Sequence, residues 1–181
     1  AYAEISRFQR NTADDLRRGL DAARPHQGVI IDVRGNGGGL LEEAVATVDL
    51  FATDGLIVQT RGREGQLLER HDATASAPFA GLEVIVLIDG ESASASEIVA
   101  GCLKDNDRAK IVGEKTFGKG SVQKILPING QQGAALRLTT AKYYTPSHEV
   151  IHGKGIEPHY EVKMTSDQEA LLFLQRTPGG L

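Results

Sequence analysis

The sequence predicts an α/β fold made of βαβ units around a largely parallel sheet, with a β-hairpin and additional strands. Hydrophobic periods of two and about 3.6 residues alternate along the chain, as expected where strands and crossover helices take turns. Two apolar runs, residues 29–33 and 84–88, have the continuous pattern of strands buried on both faces. With 181 residues, 40% of them hydrophobic, the chain can bury the core that this fold needs.

The first half of the chain contains one complete βαβ unit. A strand-like segment at residues 2–8 comes first, Thr12 can then cap a helix, and Pro25 ends that helix. The buried strand at 29–33 leads through a glycine-rich turn into a second helix, whose apolar residues fall between 41 and 48.

The rest of the chain is predicted to contain a hairpin and further strands and helices. An exposed hairpin is followed by a loop, a buried strand, a helix, three short strands, a polar loop and a last helix. The predicted ranges are 56–60 paired with 66–70, then 84–88, 96–104, 111–112, 122–126, 136–144 and 168–175.

Composition excludes several classes of function. The net charge is -4, and lysine and arginine are scattered, so we expect no nucleic-acid partner. No apolar run approaches the roughly 20 residues that span a bilayer. The single cysteine, Cys102, excludes an internal disulfide and a cysteine-ligated zinc cluster, and we expect it to be a small core residue on a helix.

Residues 89–97 form the first segment with possible chemistry, because they join a buried strand to a helix. Ser94 would lie at the carboxyl end of the strand, beside free amides at the helix N-terminus that can stabilise an oxyanion. The same residues also fit a purely structural role, since Ser94 and Glu97 have the spacing of a capping box. This segment alone leaves both interpretations open.

The second segment is similar to a phosphate-binding P-loop, because residues 113–119 fit the first seven places of that motif. The eighth place is Gly120 instead of serine or threonine, and the following residues alternate like a strand, whereas a P-loop needs a helix there. Read as a strand, Lys119, Ser121 and Gln123 point to one side. A solvated lysine in a glycine turn remains the simpler alternative.

The third segment, residues 32–39, ends in a run of glycines between a predicted strand and a predicted helix. Such a run can present N–H groups to an anion, or it can simply form a tight turn.

Together these segments resemble the C-terminal processing peptidases, also called tail-specific proteases. The resemblance covers nearly the whole chain and rests on four ordered motifs and a closing loop. They are Asp-x-Arg-x-Asn-x-Gly-Gly at 32–39, Ser-Ala-Ser-Glu at 94–97, Gly-Glu-Lys-Thr-Phe-Gly-Lys-Gly at 113–120 with Gln123, Leu-Arg-Leu-Thr-Thr-Ala-Lys-Tyr-Tyr-Thr-Pro at 136–146, and His-Gly-Lys-Gly-Ile-Glu-Pro at 152–158.

The resemblance implies a crotonase/Clp-protease-like core and a serine endopeptidase with a serine/lysine dyad. Ser94 would be the nucleophile, Lys119 its general base, and Gln123 the residue that orients the lysine. The backbone amides of Ala95 and of one glycine in the run, Gly39 or Gly38, would form the oxyanion hole. No metal, nucleotide or other cofactor is implied.

The same resemblance implies protein or peptide substrates with unstructured C-termini, and an extracytoplasmic location in the periplasm, the cell envelope or a lumen. Residues 1–181 would be a single peptidase core domain cut from a longer chain, without the PDZ domain and helical segments that usually accompany it. Residues 147–151 depart from the usual Ser-Gly-x-x-Ile pattern, which affects only a surface loop.

A lysine acts as a general base only while its amine is neutral, so we expect Lys119 to be buried. Gly118 and Gly120 flank it, and a glutamine amide can orient the amine without stabilising its charge.

Two alternatives remain. The first is a Ser/His/Asp triad, although the five histidines, His26, His71, His148, His152 and His159, all fall in segments that resemble loops, and no HExxH metal motif is present. The second is a catalytically idle peptide-binding module of the same fold.

Overall fold

The computed structural model describes residues 1–24, 27–128 and 134–176. These residues form nine strands, four helices and one 3₁₀ turn at Arg63–Gly65. The strands are β1 Tyr2–Glu4, β2 Gly28–Asp32, β3 Leu56–Arg61, β4 Leu67–Asp72, β5 Glu83–Ile88, β6 Lys110–Gly113, β7 Ser121–Pro127, β8 Ala135–Tyr144 and β9 Tyr160–Glu161. The helices are α1 Thr12–Ala23, α2 Leu41–Asp49, α3 Ala95–Asp105 and α4 Ser166–Arg176.

The first sheet is parallel throughout, with the strand order β1-β2-β5-β6-β9. Its central strands β2 and β5 are the two apolar runs from which the sequence predicted buried strands, and Ile31, Val86 and Ile88 are fully buried. Parallel neighbours need crossover connections, and α3 supplies the one between β5 and β6. The predicted α/β class is therefore confirmed.

The second sheet is antiparallel, with the order β4-β3-β8-β7. The predicted hairpin forms its β3–β4 pair, and the long strand β8 joins that hairpin to β7. β7 lies at the edge of this sheet, which explains why a proline can end it. The loop at residues 114–120 connects the parallel sheet to this edge strand.

Helix α3 lies in the core of the fold. It packs against α2 and contacts β3 and β6. All its residues from Ala95 to Leu103 are buried, so it is enclosed on every side over two turns. Cys102 is among them, as the sequence predicted.

Four details differ from the sequence prediction. The first strand spans only residues 2–4, and the short strand β9 was not predicted. Asn11, not Thr12, is the cap residue of α1, because the Thr12 hydroxyl bonds instead to Gln9. The helix ends at Ala23, after which Arg24 adopts a left-handed conformation; Pro25 lies outside the described residues.

Within the described ranges, no helix combines the length and apolar character needed to cross a bilayer.

Candidate active site

The three sequence segments meet at the carboxyl ends of neighbouring parallel strands. The glycine turn follows β2, the serine segment follows β5, and the loop with Lys119 follows β6. A cleft of about 540 Å³ opens between them, lined by Ser6, Arg7, four glycines of the turn at 35–39, Ser94 and Lys119. This is the edge of an open α/β sheet at which ligands usually bind.

Ser94 has an unusual backbone conformation at the start of α3. Its φ and ψ are 58° and −112°, which L residues rarely adopt, and such a conformation costs about 1–3 kcal/mol. The side chain is half-buried and faces the cleft. Ala95, the first helical residue, follows directly, so the turn presents the serine together with the helix N-terminus.

The two neighbouring serines have structural roles. Both are fully buried, and each donates its hydroxyl proton to a main-chain carbonyl of the glycine segment. Ser92 Oγ bonds Val33 O at 2.8 Å, and Ser96 Oγ bonds Asn36 O at 2.9 Å. Only Ser94 of the three lines the cleft.

Glu97 connects the serine turn to the lysine loop. Its carboxylate is fully buried and accepts four hydrogen bonds. Oε2 accepts the main-chain N–H groups of Ser94 and Lys119, each at 2.8 Å. Oε1 accepts the Thr116 hydroxyl at 2.6 Å and the Gly118 N–H at 2.7 Å. One oxygen atom therefore holds the backbones of both dyad candidates.

The sequence indicated Glu97 only as half of a capping box. Its bond to the Ser94 N–H confirms that local role. The three bonds to residues 116–119 were not predicted, because they join positions 19 to 22 residues apart.

Asn36 fixes the glycine turn against the serine turn. Its buried side chain donates to Ile5 O at 2.6 Å and accepts the Gly38 N–H at 2.8 Å, while its carbonyl accepts the Ala93 N–H at 3.0 Å. Gly38 has φ 100°, and a Cβ there would lie 2.6 Å from Ala93 O and 2.8 Å from Ser94 Cβ. Only glycine fits this contact.

Asp89 ties the same two turns together from the other side. Both of its carboxylate oxygens accept the Gly35 N–H, at 2.8 and 3.0 Å, and Oδ1 also accepts the N–H groups of Glu91 and Ser92. This aspartate and Asn36 were not among the predicted site residues.

A third carboxylate, Asp32, anchors the end of β2. It is fully buried and bonds the Tyr2 hydroxyl at 2.7 Å and the Arg34 guanidinium at 2.6 and 2.9 Å. These hydrogen bonds raise the pKa of the Arg34 guanidinium. The Asp-x-Arg part of the first motif therefore forms a structural clamp behind the cleft.

The amides predicted for the oxyanion hole differ in whether their N–H groups already donate a hydrogen bond within the protein. The Gly38 N–H is bonded to the Asn36 side chain. Among the hydrogen bonds of the described residues, none uses the N–H of Ala95 or of Gly39. This difference favours Gly39 over Gly38 as the partner of Ala95.

Lys119 lines the cleft but is exposed, contrary to our expectation of burial. The described residues form no hydrogen bond or ion pair with its amine, and none joins Ser94 Oγ to Lys119 Nζ. The structure thus places both residues in the lining of one cleft, without a hydrogen bond between their side chains. Its backbone is held by Glu97, whereas its amine faces solvent.

Gln123 lies on β7, four residues beyond Lys119, and is exposed. It does not line the cleft, and over the described ranges no hydrogen bond joins it to Lys119. Its predicted role in orienting the lysine is not visible in this arrangement.

No described histidine lines the cleft, which leaves the triad alternative without support. His71 lies on strand β4 and not in a loop, so that prediction was wrong. His148 Nδ1 bonds Gln59 at 2.6 Å, and His159 Nδ1 accepts the Ile111 N–H at 3.0 Å. His26 lies outside the described residues.

The structure also does not meet the requirement of a P-loop for a following helix, because Gly120 leads into strand β7. In the part of the chain that the structure describes, no group of three or more acidic, histidine or cysteine side chains is placed to hold a metal ion.

Comparisons with known proteins agree on a single family. A model of Peptidase family S41 matches residues 1–162. The carboxy-terminal-processing protease of Bartonella bacilliformis is 45% identical over 168 residues, which cover 90% of this chain and 38% of that protein. The carboxy-terminal processing protease CtpB of Bacillus subtilis is 39% identical over 164 residues, or 90% of this chain and 34% of that protein.

Solved structures show the same relationship. The photosystem II D1 C-terminal processing protease superposes with a TM-score of 0.83 at 30% identity, over 90% of this chain and 42% of that chain. The tricorn protease, 20% identical over 90% of this chain and 15% of its own, shares the fold with a TM-score of 0.57. The chain thus spans less than half the length of these relatives.

Proposed function

Because this chain belongs to Peptidase family S41, we propose that it is a serine endopeptidase core in which Ser94 and Lys119 act as a dyad. The observation that supports this most strongly is the shared cleft, in which Glu97 Oε2 holds the backbones of both residues. In this proposal residues 1–181 act as one peptidase domain of a longer protein.

In the proposed reaction, Ser94 Oγ attacks the carbonyl carbon of the scissile peptide bond while the neutral Lys119 amine accepts the hydroxyl proton. The N–H groups of Ala95 and Gly39 stabilise the oxyanion of the tetrahedral intermediate. The lysine then donates its proton to the leaving amine, and an acyl-enzyme ester on Ser94 remains. Water, deprotonated by the same amine, hydrolyses that ester and restores the serine.

The exposure of Lys119 adds a requirement to this mechanism. An amine in bulk solvent is protonated at neutral pH, and removal of water is the usual way to favour its neutral form. We propose that substrate entering the cleft, or a further part of the longer protein, covers the lysine and brings its amine to Ser94. Gln123 would orient the amine in that closed arrangement.

The names of the relatives support the proposed substrate class, since they are carboxy-terminal processing proteases. We propose that this protein cleaves proteins near unstructured C-termini, that a PDZ domain elsewhere in the protein recruits them, and that it works outside the cytoplasm, in the periplasm, the cell envelope or a lumen. The last two points rest on the resemblance of the sequence motifs.

A peptide-binding module without catalysis is the second candidate. The exposure of Lys119 favours it, as does the lack of a hydrogen bond between Ser94 and Lys119 among the described residues. The conformation of Ser94 argues against it, because a binding module has no need for a strained residue at this point.

Incubation of the full-length protein with an unstructured protein distinguishes the two candidates. We expect new fragments, detected by mass spectrometry, and none with Ser94→Ala. Loss of a half-buried hydroxyl at the start of α3 should change the free energy of unfolding by about 1 kcal/mol or less, so the inactive variant remains folded. Cleavage by Ser94→Ala would show that another residue is the nucleophile.

A further inference from the structure

Arg7 lines the cleft, and the proposed reaction gives it no role. It follows Ser6 in the segment between β1 and α1, and its side chain is exposed. The sequence motifs did not indicate it, since it lies outside all of them.

The lining of the cleft contains two basic residues, Arg7 and Lys119, and no acidic residue. Within the described part of the chain, the Arg7 guanidinium has no hydrogen bond or ion pair. By contrast, Arg34 nearby is fixed by the buried Asp32. The positive charge of Arg7 is therefore available to a ligand.

The backbone beside Arg7 is fixed against the glycine turn that lines the cleft. The next residue, Phe8, donates its N–H to Gly38 O at 3.1 Å and accepts the Leu40 N–H at 2.8 Å. These bonds bracket Gly39, whose own N–H is a candidate for the oxyanion hole. The Thr12 hydroxyl contacts Arg7 O at 3.3 Å. The Arg7 side chain thus starts from a backbone that is fixed next to Gly39, a proposed oxyanion-hole residue.

We propose that Arg7 determines specificity by binding a substrate carboxylate within about two residues, or roughly 7 Å of extended chain, of the scissile bond. A guanidinium forms paired hydrogen bonds with a carboxylate, which gives direction as well as attraction. The carboxylate belongs to an Asp or Glu side chain, or to a substrate C-terminus that lies this close. The inference rests on the proposed peptidase function.

The test uses the full-length protein and matched peptides. For each position within two residues of the scissile bond, one pair of peptides differs only in having Glu or Gln there. A second pair ends within two residues of the scissile bond, either in a free or in an amidated C-terminus. In at least one pair, we expect kcat/KM to be about fivefold higher for the peptide with the carboxylate than for its neutral partner. The ratio is modest because the Arg7 guanidinium is exposed. Arg7→Gln should remove this preference, Arg7→Glu should reverse it, and the exposed neighbour control Arg10→Gln should keep it.

The inference is overturned if Arg7→Gln keeps the preference for the carboxylate. It is also overturned if Arg7→Gln slows cleavage of charged and neutral peptides equally, because Arg7 would then act in the reaction or in the fold. If the wild-type protein cleaves no peptide, the peptidase proposal fails, and the role of Arg7 is tested by peptide binding instead. In Ser94→Ala, fluorescence anisotropy should then show tighter binding of the acidic peptide only while Arg7 is present.

Discussion

At the scale of single residues, Glu97 determines the geometry on which the proposed dyad depends. A carboxylate is well suited to its position because all four neighbours donate hydrogen bonds to it. A neutral amide would direct its own N–H groups at N–H donors. We expect Glu97 to act as a positioning residue through the backbones of Ser94 and Lys119.

We expect Glu97→Gln to lower the free energy of unfolding by about 2 kcal/mol, since at least one buried N–H loses its acceptor. If Glu97 positions the dyad, kcat should also fall at least about tenfold, measured well below the melting temperature, while KM changes little. The exposed Glu91→Gln is the matched control, with stability and kinetics near wild type. A stable Glu97→Gln protein with unchanged kcat would contradict the positioning role.

Lys119 provides a second prediction at this scale. Lys119→Arg should abolish cleavage as completely as Lys119→Ala, because a guanidinium stays protonated and accepts no proton from serine. Lys124→Arg, on the edge strand β7 that follows the loop of Lys119, should keep activity and controls for the change of side chain. Near-normal proteolysis by Lys119→Arg would exclude the lysine as general base. A P-loop function would instead predict that ATP raises the melting temperature.

At the scale of elements, the site consists of two turns packed against each other at the ends of β2 and β5. The strained serine turn would be free to relax if it stood alone. The Asn36 carbonyl accepts the Ala93 N–H, and the Asp89 carboxylate accepts the Gly35 N–H, so these residues connect the serine turn to the glycine turn. The geometry of these turns therefore depends on their packing against each other and not on either segment alone.

Two glycines of the same turn test this packing. Gly38→Ala should lower the free energy of unfolding by about 2 kcal/mol or more, because its φ of 100° is strained for alanine and the new Cβ would overlap Ala93 O. Gly37→Ala should change it by less than about 0.5 kcal/mol, since nothing lies within 4 Å of the added Cβ. Chemical denaturation measures both. Equal losses would show that the two turns do not pack as described.

At the scale of the whole molecule, burial of α3 makes Cys102 a reporter of the core. Desolvation by burial raises the pKa of the Cys102 thiol to about 12, and its side chain is enclosed between α3 and β3. The thiolate that reacts with disulfide reagents is therefore scarce at pH 8 as well as inaccessible.

We expect Cys102 in the folded protein to react with a chromogenic disulfide at pH 8 at least about a hundredfold more slowly than in the urea-unfolded protein. Raising the pH from 8 to 9 should increase the reaction rate of Cys102 in the unfolded protein less than tenfold. The reaction of the folded protein should stay slow, because the thiol reacts only when the core opens. Cys102→Ser serves as the blank. Fast reaction of the native thiol would show that α3 is not packed as described.

The sequence by itself determined where the main strands and helices lie and which residues carry the candidate chemistry. The period of its apolar residues gave β2, β5 and α3 close to their observed bounds, because that period reflects which face of a local backbone is buried. Its motifs indicated Ser94, Lys119 and the glycine turn, since turns at strand ends need particular residue types.

Only the tertiary structure decided how those groups are used. That Glu97 holds two loops depends on contacts between residues far apart in the chain. The local bond from the Gly38 N–H to Asn36 and the exposure of Lys119 also became known only from the structure. Ser96 and Asn36, for example, are 60 residues apart and bond directly. Such pairs are set when parallel strands align in the sheet, a step that leaves no periodic signal in the sequence. The same alignment brings Arg7, which no motif contains, into the cleft with Ser94.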